Sequence, residues 1–387
     1  MKFLIISNLY PPYARGGAER VAELQAKGLQ EAGHEVCVLT TGPKFFLDEE
    51  VRDGIRVLRY YPMNIFWYKD IGKYPLWLRM IWHKLDAIMP HGLWIFRQVI
   101  DKEKPDVIIS HNLKGMNMTG VVALGNERRH WVHVAHDIQL AVLSGIMKYG
   151  EEKAQSSLVS KYWQWYCRGL FDSPRVVLSP SQWLLDFYYE KGFFAKSKLA
   201  VLPNPVEDVE LLEKKESQKV RFLYLGQVEP QKGVNWLVRH IKELSGDWEL
   251  KIVGSGSAVG DVKNIAEGEE RIKILGKKSR EEIKEIFSDI DVLIVPSLLY
   301  ENSPAVIYEA LVAGVPVLAA RIGGVAELIE ENKNGWTFEP NNSDEFLQKL
   351  GKVVSERKYL SMREDCQRSV AGSRVKSYIE KLLDLVK

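Results

Sequence analysis

Short, wholly apolar runs alternate with amphipathic helical stretches along most of this chain, and the alternation starts twice. Strands that are apolar on both sides must be covered on both faces, and an intervening helix supplies the crossover that parallel pairing needs. The expected fold class is therefore α/β, built from doubly wound parallel sheets. In the first half, strands are expected at residues 2–8, 34–40, 107–110, 131–135 and 175–179, with helices at 17–32, 151–169 and 181–191. Pro203-Asn204-Pro205 can continue neither a strand nor a helix and reads as a hinge. The charged run 213–219 follows it. Strands at 220–225, 250–253, 272–275, 292–295 and 315–319 then describe a second doubly wound domain over residues 205–365, and 373–386 reads as a last amphipathic helix. A length of 387 residues suits two domains of roughly 100–200 residues. Open α/β sheets bind ligands beyond the carboxyl ends of their strands, so a cleft between two such domains is the first place to expect a site.

Composition narrows the partners. Lys+Arg is 53 and Asp+Glu is 51, so no overall positive field favours nucleic acid, and none is expected as a partner. The three cysteines, Cys37, Cys167 and Cys366, are odd in number and form no C-x-x-C pair. Neither a disulfide framework nor a structural zinc site is expected, and a reducing compartment fits. The first apolar run stops at Asn8, too short for a signal peptide, and no apolar stretch reaches 18 residues. The expected location is cytoplasmic. Residues 60–100 break the alternation. They hold ten aromatics, Trp67, Trp77, Trp82 and Trp94 among them, and from 52 to 100 Lys+Arg outnumbers Asp+Glu by eight to three. Two readings stand open: a face for a membrane surface or lipid acceptor, or a helical insertion whose tryptophans fill the core.

Several strand-to-helix junctions carry chemistry. Gly16-Gly17 opens the first helix, where backbone N–H groups and the helix dipole favour an anion; a flexible turn is the plain alternative. Gly254-Ser255-Gly256-Ser257-Ala258-Val259-Gly260 suggests a dinucleotide fingerprint. Val259 at the sixth place and the missing acid after the next strand weaken that reading. Asp289-Ile290-Asp291 resembles a metal clamp but opens a strand rather than ending one, so no essential metal is expected there. The strongest signal is Pro296 to Ala310. A strand ends, Glu301 follows in a loop, Ser303 is expected to cap a helix with Pro304 in its first turn, and Glu309 lies two turns on. Amides around Asn302–Pro304 suit a phosphate or sugar hydroxyl. Capping and surface charge are the plain reading of the two glutamates. Gly323-Gly324 ends the next strand. Gly226 to Gly233 places Lys232 at an expected helix start, where the dipole disfavours a cation unless an anion lies opposite.

Together, the early Gly-Gly, the Gly-x-x-x-x-x-Lys-Gly turn, the Glu-x-x-Pro segment with a second Glu eight residues on, and the later Gly-Gly resemble glycosyltransferase family 4. The resemblance spans nearly the whole chain. It implies the GT-B fold: two Rossmann-like domains facing across a cleft, at 1–203 for the acceptor and 204–370 for the donor, with 371–387 as a helix crossing back to the first domain. It implies a retaining, metal-independent transfer of a hexose from a nucleoside diphosphate sugar, with no separate cofactor, to a sugar, polysaccharide or lipid-linked acceptor; the aromatic and basic 60–100 segment favours a membrane-linked acceptor at the inner membrane face, with a soluble small acceptor as the alternative. Gly16 and Gly17 then meet the donor phosphate or the acceptor, and His136 the donor sugar. Lys232 binds the diphosphate, Glu301 the sugar hydroxyls and Glu309 the ribose. Asn302, Ser303 and Pro304 cradle sugar and phosphate. Family members usually carry Arg where this chain has Gln227, so one charge-assisted phosphate contact is missing unless Arg15 or Arg321 replaces it. A sugar phosphorylase, a nucleotide-sugar epimerase and an inactive nucleotide-sugar-binding module are the alternatives.

Overall fold

In the computed structural model the chain is described at all residues except 15, 127–130, 173, 208–212, 215–216 and 387. It divides into two compact units. One comprises Met1–Gly145, Gln155–Pro205 and Val375–Lys387; the other comprises Ile146–Ala154 and Val206–Arg374.

The first unit holds β1 (Lys2–Ile6), β2 (Glu35–Thr41), β3 (Asp48–Arg52), β4 (Ile55–Tyr60), β5 (Val107–Ser110), β6 (Trp131–Val134), β7 (Val176–Ser179) and β8 (Lys198–Val201). Their order is β3-β4-β2-β1-β5-β6-β7-β8, parallel throughout except for the β3–β4 pair. Every residue of β5, β6 and β7 is buried, as a sheet covered on both faces requires. Three strands of this unit, and Gly335–Phe338 of the second, were not anticipated. The β3–β4 hairpin turns through Asp53 and Gly54, both at positive φ. Its edge strand reads DEEVR, which has no apolar run to announce it. β8 is likewise a mostly exposed edge.

The second unit holds β9 (Val220–Leu225), β10 (Trp248–Val253), β11 (Ile272–Gly276), β12 (Val292–Val295), β13 (Val317–Ala320) and β14 (Gly335–Phe338), all parallel in the order β11-β10-β9-β12-β13-β14. A short segment from the first half of the sequence belongs here, a correction to the contiguous boundaries. Lys148 pairs with Leu299 in an antiparallel bridge, Tyr149 N–H donates to the Leu298 carbonyl at 2.9 Å, and Tyr300 N–H donates to the Met147 carbonyl at 3.0 Å. The expected single helix at 151–169 accordingly splits into a 3₁₀ turn, Glu152–Ser156, and the helix Leu158–Leu170. The split falls where the Ser157 hydroxyl accepts from Ser160 N–H and caps the new start.

Residues 60–100 contribute the helix Leu76–Ile88 and, with the next turn, the helix His91–Glu103. The core-filling reading of this segment holds for two of its four named tryptophans. Trp67 and Trp82 are buried core residues, whose indole N–H groups donate to Thr41 Oγ1 and the Phe66 carbonyl. Trp77 and Trp94 stay 63% and 56% exposed. Among the described residues no helix is long and apolar enough to cross a membrane.

The final helix, Val375–Val386, packs on the helix Gly17–Glu31, and its Tyr378, Ile379, Leu382 and Val386 join the first unit's core. Gly28 makes room for it. A Cβ there would lie 2.6 Å from Val375 Cγ1 and 2.7 Å from Ile379 Cγ1. Gly28→Leu is therefore expected to destabilise the first unit by roughly 1–3 kcal/mol through overpacking. Thermal unfolding should shift down and the C-terminal helix should become protease-sensitive; unchanged melting and protection would contradict the close packing.

Candidate active site

In both sheets the strand order turns back beside the unit's first strand. β1 lies between β2 and β5, and β9 lies between β10 and β12. Loops leaving the carboxyl ends of such neighbours run to opposite faces of the sheet and open a crevice where ligands bind.

In the second unit these loops carry the predicted residues. After β9 the chain runs through Gly226 and Gln227 into a 3₁₀ turn, Pro230–Lys232, and then the helix Val234–Ile241. Lys232 therefore closes a turn rather than starting a helix, a correction to the expectation above. The reason lies at Gly233, which sits at φ 74° with the Pro296 carbonyl oxygen only 1.9 Å from where a Cβ would be. No other residue fits that contact. Leu298 N–H donates to the Gln231 carbonyl at 3.1 Å, so the lysine turn rests directly on the loop after β12. Across this contact Lys232 Nζ meets Glu301 Oε2 at 3.0 Å, with side chains 26% and 20% exposed.

The Glu301 loop is braced from both sides. Gly324 N–H donates to the Glu301 carbonyl at 2.9 Å, and Tyr300 OH donates to Glu152 Oε1 at 2.8 Å. Asn302 is buried. Pro304, in extended conformation, is the cap position of the helix Ala305–Val312. Ser303 does not cap it, contrary to expectation: its hydroxyl lies 2.8 Å from Tyr308 OH. A capping oxygen must come from the residue just before the helix, and proline holds that place. The amides of Ala305 and Val306 open this helix. Glu309 is exposed within it.

The glycine-rich loop after β10 has a supporting role that the sequence reading did not assign. Val228 N–H donates to the Ser255 carbonyl and Ala258 N–H to the Val228 carbonyl, both at 3.0 Å. Glu229 Oε1 accepts from Ser257 N–H at 3.0 Å. The loop thus fastens the turn that carries Gln227 and Lys232. Gln227 is exposed, and its carbonyl accepts from Tyr224 OH at 2.6 Å. Arg321 is turned toward Glu345 and Glu339, at 3.4 and 3.8 Å; Arg15 lies outside the described residues. Asp289 and Asp291 are consumed by cations. Arg221 donates to both, Lys251 pairs with Asp289, and Lys214 pairs with Asp291.

In the first unit, Gly16 and Gly17 are exposed at the start of the helix Gly17–Glu31, where Gly16 N–H donates to Glu19 Oε2 at 2.8 Å. His136 follows β6. Its Nε2 lies 2.8 Å from His111 Nδ1, which follows β5, and the rings stack 5.1 Å apart. Burial holds the His136 imidazole neutral, with its pKa pushed down to about 4, and pushes His111 well down too. Asp137 accepts from Gln139 N–H at 2.9 Å, and burial raises its pKa. His111, Asp137 and Gln139 escaped the sequence reading. An isolated His or Asp at a strand end has no spacing signal of its own.

The family model for glycosyl transferases group 1 matches residues 210–370, and that for the glycosyl transferase 4-like domain matches residues 16–205. An uncharacterized glycosyltransferase of Methanocaldococcus jannaschii is 23% identical over 386 residues, covering 92% of this chain and 90% of that one. The UDP-Gal:alpha-D-GlcNAc-diphosphoundecaprenol alpha-1,3-galactosyltransferase of Escherichia coli is 28% identical over 174 residues, 42% of this chain and 44% of its own. Sucrose-phosphate synthase from Thermosynechococcus elongatus has the same fold, with a TM-score of 0.78 at 16% identity over 99% of this chain and 98% of that one. With both halves matched, two doubly wound sheets in place and the lysine and glutamate loops meeting at a strand-order reversal, the chain belongs to the family 4-like glycosyltransferases and has their GT-B fold of two Rossmann-like domains.

Proposed function

We propose that this glycosyltransferase moves a hexose, with retention of anomeric configuration, from a nucleoside diphosphate sugar to a hydroxyl of a lipid-linked or polysaccharide acceptor. The observation that carries this reading is the contact between Lys232 and Glu301 at the ends of β9 and β12. Breaking the anomeric C–O bond builds positive charge on the sugar and negative charge on the departing diphosphate. An ammonium held in place at the end of β9 stabilises that negative charge without reorganising at the moment of reaction. Glu301 is the anion Lys232 meets in the protein itself. When donor binds, the lysine turns to the diphosphate and the carboxylate accepts from sugar hydroxyls. Asn302, Ser303 and Pro304 line the sugar and phosphate, Glu309 takes the ribose hydroxyls, and Gly16, Gly17 and His136 keep the family roles named above. The acceptor attacks from the face the diphosphate leaves, and the leaving phosphate takes its proton. No metal is proposed at Asp289 and Asp291, whose partners are Arg221, Lys214 and Lys251.

The E. coli relative's name supports a UDP-hexose donor and an acceptor on a lipid diphosphate. An apolar face in the first unit supports the lipid. Leu76, Trp77, Met80, Ile81 and Ile88 are exposed on one helix, and Leu158, Val159, Tyr162 and Trp165 on the helix Leu158–Leu170. Tyr166 OH donates to the Ala87 carbonyl and ties the two together. Lys84, Lys161 and Arg168 are exposed on these helices, whose one acid, Asp86, is buried. Such a face suits an anionic bilayer surface. The three free, buried cysteines suit its cytoplasmic side.

Three measurements test the reading. Lys232→Ala and Glu301→Gln should each lower sugar transfer from a UDP-hexose pool to an undecaprenyl-diphosphate-sugar acceptor by roughly 10²–10³-fold, with unchanged melting. Full activity in either removes the assignment. Dependence on inorganic phosphate would instead indicate a phosphorylase, acceptor-free isomerisation an epimerase, and binding without turnover an inactive module. Gln227→Arg should tighten UDP binding by roughly tenfold or more in calorimetry, since a guanidinium adds a charge-assisted contact. Trp77→Ser with Trp165→Ser should weaken co-sedimentation with anionic vesicles by at least about tenfold and leave neutral soluble acceptors unaffected. A pH expectation follows from the buried imidazoles. Unfolding lets His133 and His136 return from about 3 and about 4 to the ordinary 6.5, so the unfolded chain binds more protons between those values. Stability of the first unit is therefore full above pH 6.5 and falls on acidification toward pH 4, by on the order of 3 kcal/mol per histidine. Denaturant titrations at pH 7.5 and 5 should show this sign; a flat profile would contradict the buried neutral rings.

A further inference from the structure

The helix Leu76–Ile88 shows Leu76, Trp77, Met80 and Ile81 to the outside and turns its single acid inward. Asp86 is 2% exposed. Its two carboxylate oxygens each accept one backbone N–H from the loop after β5, Oδ2 from Gly115 at 2.8 Å and Oδ1 from Asn117 at 2.9 Å. Its carbonyl accepts a third, from Met118 N–H at 2.7 Å. Gly115 and Asn117 sit at φ 91° and 60°, left-handed backbone that gathers N–H groups into a concavity suited to an anion. Backbone N–H groups only donate and an ionised carboxylate only accepts, so these bonds run one way.

Stability alone does not account for the acid. Burial pushes the Asp86 pKa up to about 6, so above that pH its ionised form costs the fold stability. Asparagine would have the same shape and no charge to bury. It would offer one oxygen and one NH₂ to two N–H groups, and would leave one of them without an acceptor. What the carboxylate secures is the shape of the loop. That loop leaves β5 through His111 and Asn112, and it forms one wall of a hollow at the carboxyl ends of β5 and β6, lined by Asn112, Asp137 and Gln139. A second brace reaches the same loop from β4, where Tyr60 OH donates to the Met116 carbonyl at 2.6 Å.

We infer that Asp86 is a positioning residue for the acceptor: its carboxylate holds the loop His111–Met118 in the shape in which that hollow receives the acceptor's sugar. This rests on the reading that the first unit takes a lipid-linked acceptor. The helix that offers its outer face to a bilayer thereby sets, through its inner face, a wall of the site for a substrate carried in that bilayer. One element answers to both ends of the acceptor, its outward residues to the lipid and Asp86, through the loop, to the sugar.

The test is Asp86→Asn in the full chain at pH 7.5, followed by hydrogen exchange and by steady-state kinetics with a UDP-hexose and an undecaprenyl-diphosphate-sugar acceptor. Exchange across His111–Met118 should quicken by roughly tenfold, since one buried N–H loses its acceptor. The KM for the acceptor should rise by roughly tenfold with it. UDP affinity in calorimetry should stay unchanged, because the diphosphate-binding turn lies in the other unit. Co-sedimentation with anionic vesicles should also stay unchanged, because the outer face of the helix is untouched. Tyr60→Phe removes the other brace and leaves the carboxylate in place. It should raise the acceptor KM in the same direction by a smaller factor, and it carries the test if Asp86→Asn does not fold. Unchanged exchange in Asp86→Asn, or quickened exchange with an unchanged acceptor KM, overturns the inference. So does a joint loss of UDP affinity, vesicle binding and acceptor affinity, which would mark Asp86 as structural only. Failure of the unaltered protein to transfer sugar would instead remove the proposed reaction, while the exchange rates would still report whether Asp86 holds the loop.

Discussion

The pairing of Lys232 with Glu301 depends on one steric fact, the approach of Gly233 to the Pro296 carbonyl. That contact presses the turn after β9 onto the loop after β12, at the place where the second sheet's strand order reverses. An ammonium and a carboxylate then meet, four residues before the helix Ala305–Val312 begins. Around it the protein spends polar groups on bracing. The loop after β10 fastens the lysine turn, and residues 147–152 and Gly324 fasten the glutamate loop. If the pair meets developing charge as proposed, such a frame spares it from reorganising during the reaction.

The first unit solves a different problem. Its strand ends carry imidazoles in a buried setting, where a charged ring would lack solvation, so they are neutral at physiological pH. Neutral rings communicate through hydrogen-bond direction rather than charge. The run of contacts from Tyr378 through Gln25 and His111 to His136 is of this kind. It also couples the C-terminal helix, which Gly28 admits against Gly17–Glu31, to the strand-end histidines.

Legibility in the sequence followed burial only in part, since the buried strands Ile55–Tyr60 and Gly335–Phe338 were missed. Val176–Ser179 and Val292–Val295 were read because strands covered on both faces must be apolar throughout. The strands Asp48–Arg52 and Lys198–Val201 were not, because an edge strand has one neighbour and tolerates charge. Lys232, Glu301 and the glycines beside them stood out as a spaced set. Gln25, His111 and Tyr378 did not, since three single residues on separate elements leave no periodic trace. Ser303 was misassigned as a cap for a related reason: Ser-Pro at a helix start fits two registers, and only the backbone angles at Pro304 choose between them.

By itself, then, the order of residues determined the doubly wound α/β class, the two-domain plan and the loops that carry the reactive groups, because apolar runs and glycine turns act over a few neighbouring residues. The tertiary structure alone decided which loops touch, that Ile146–Ala154 joins the second unit, and that hydrogen bonds link Tyr378 through Gln25 and His111 to His136. Those outcomes depend on distances between residues far apart in the chain, and such distances exist only once the sheets have paired and the helices have packed.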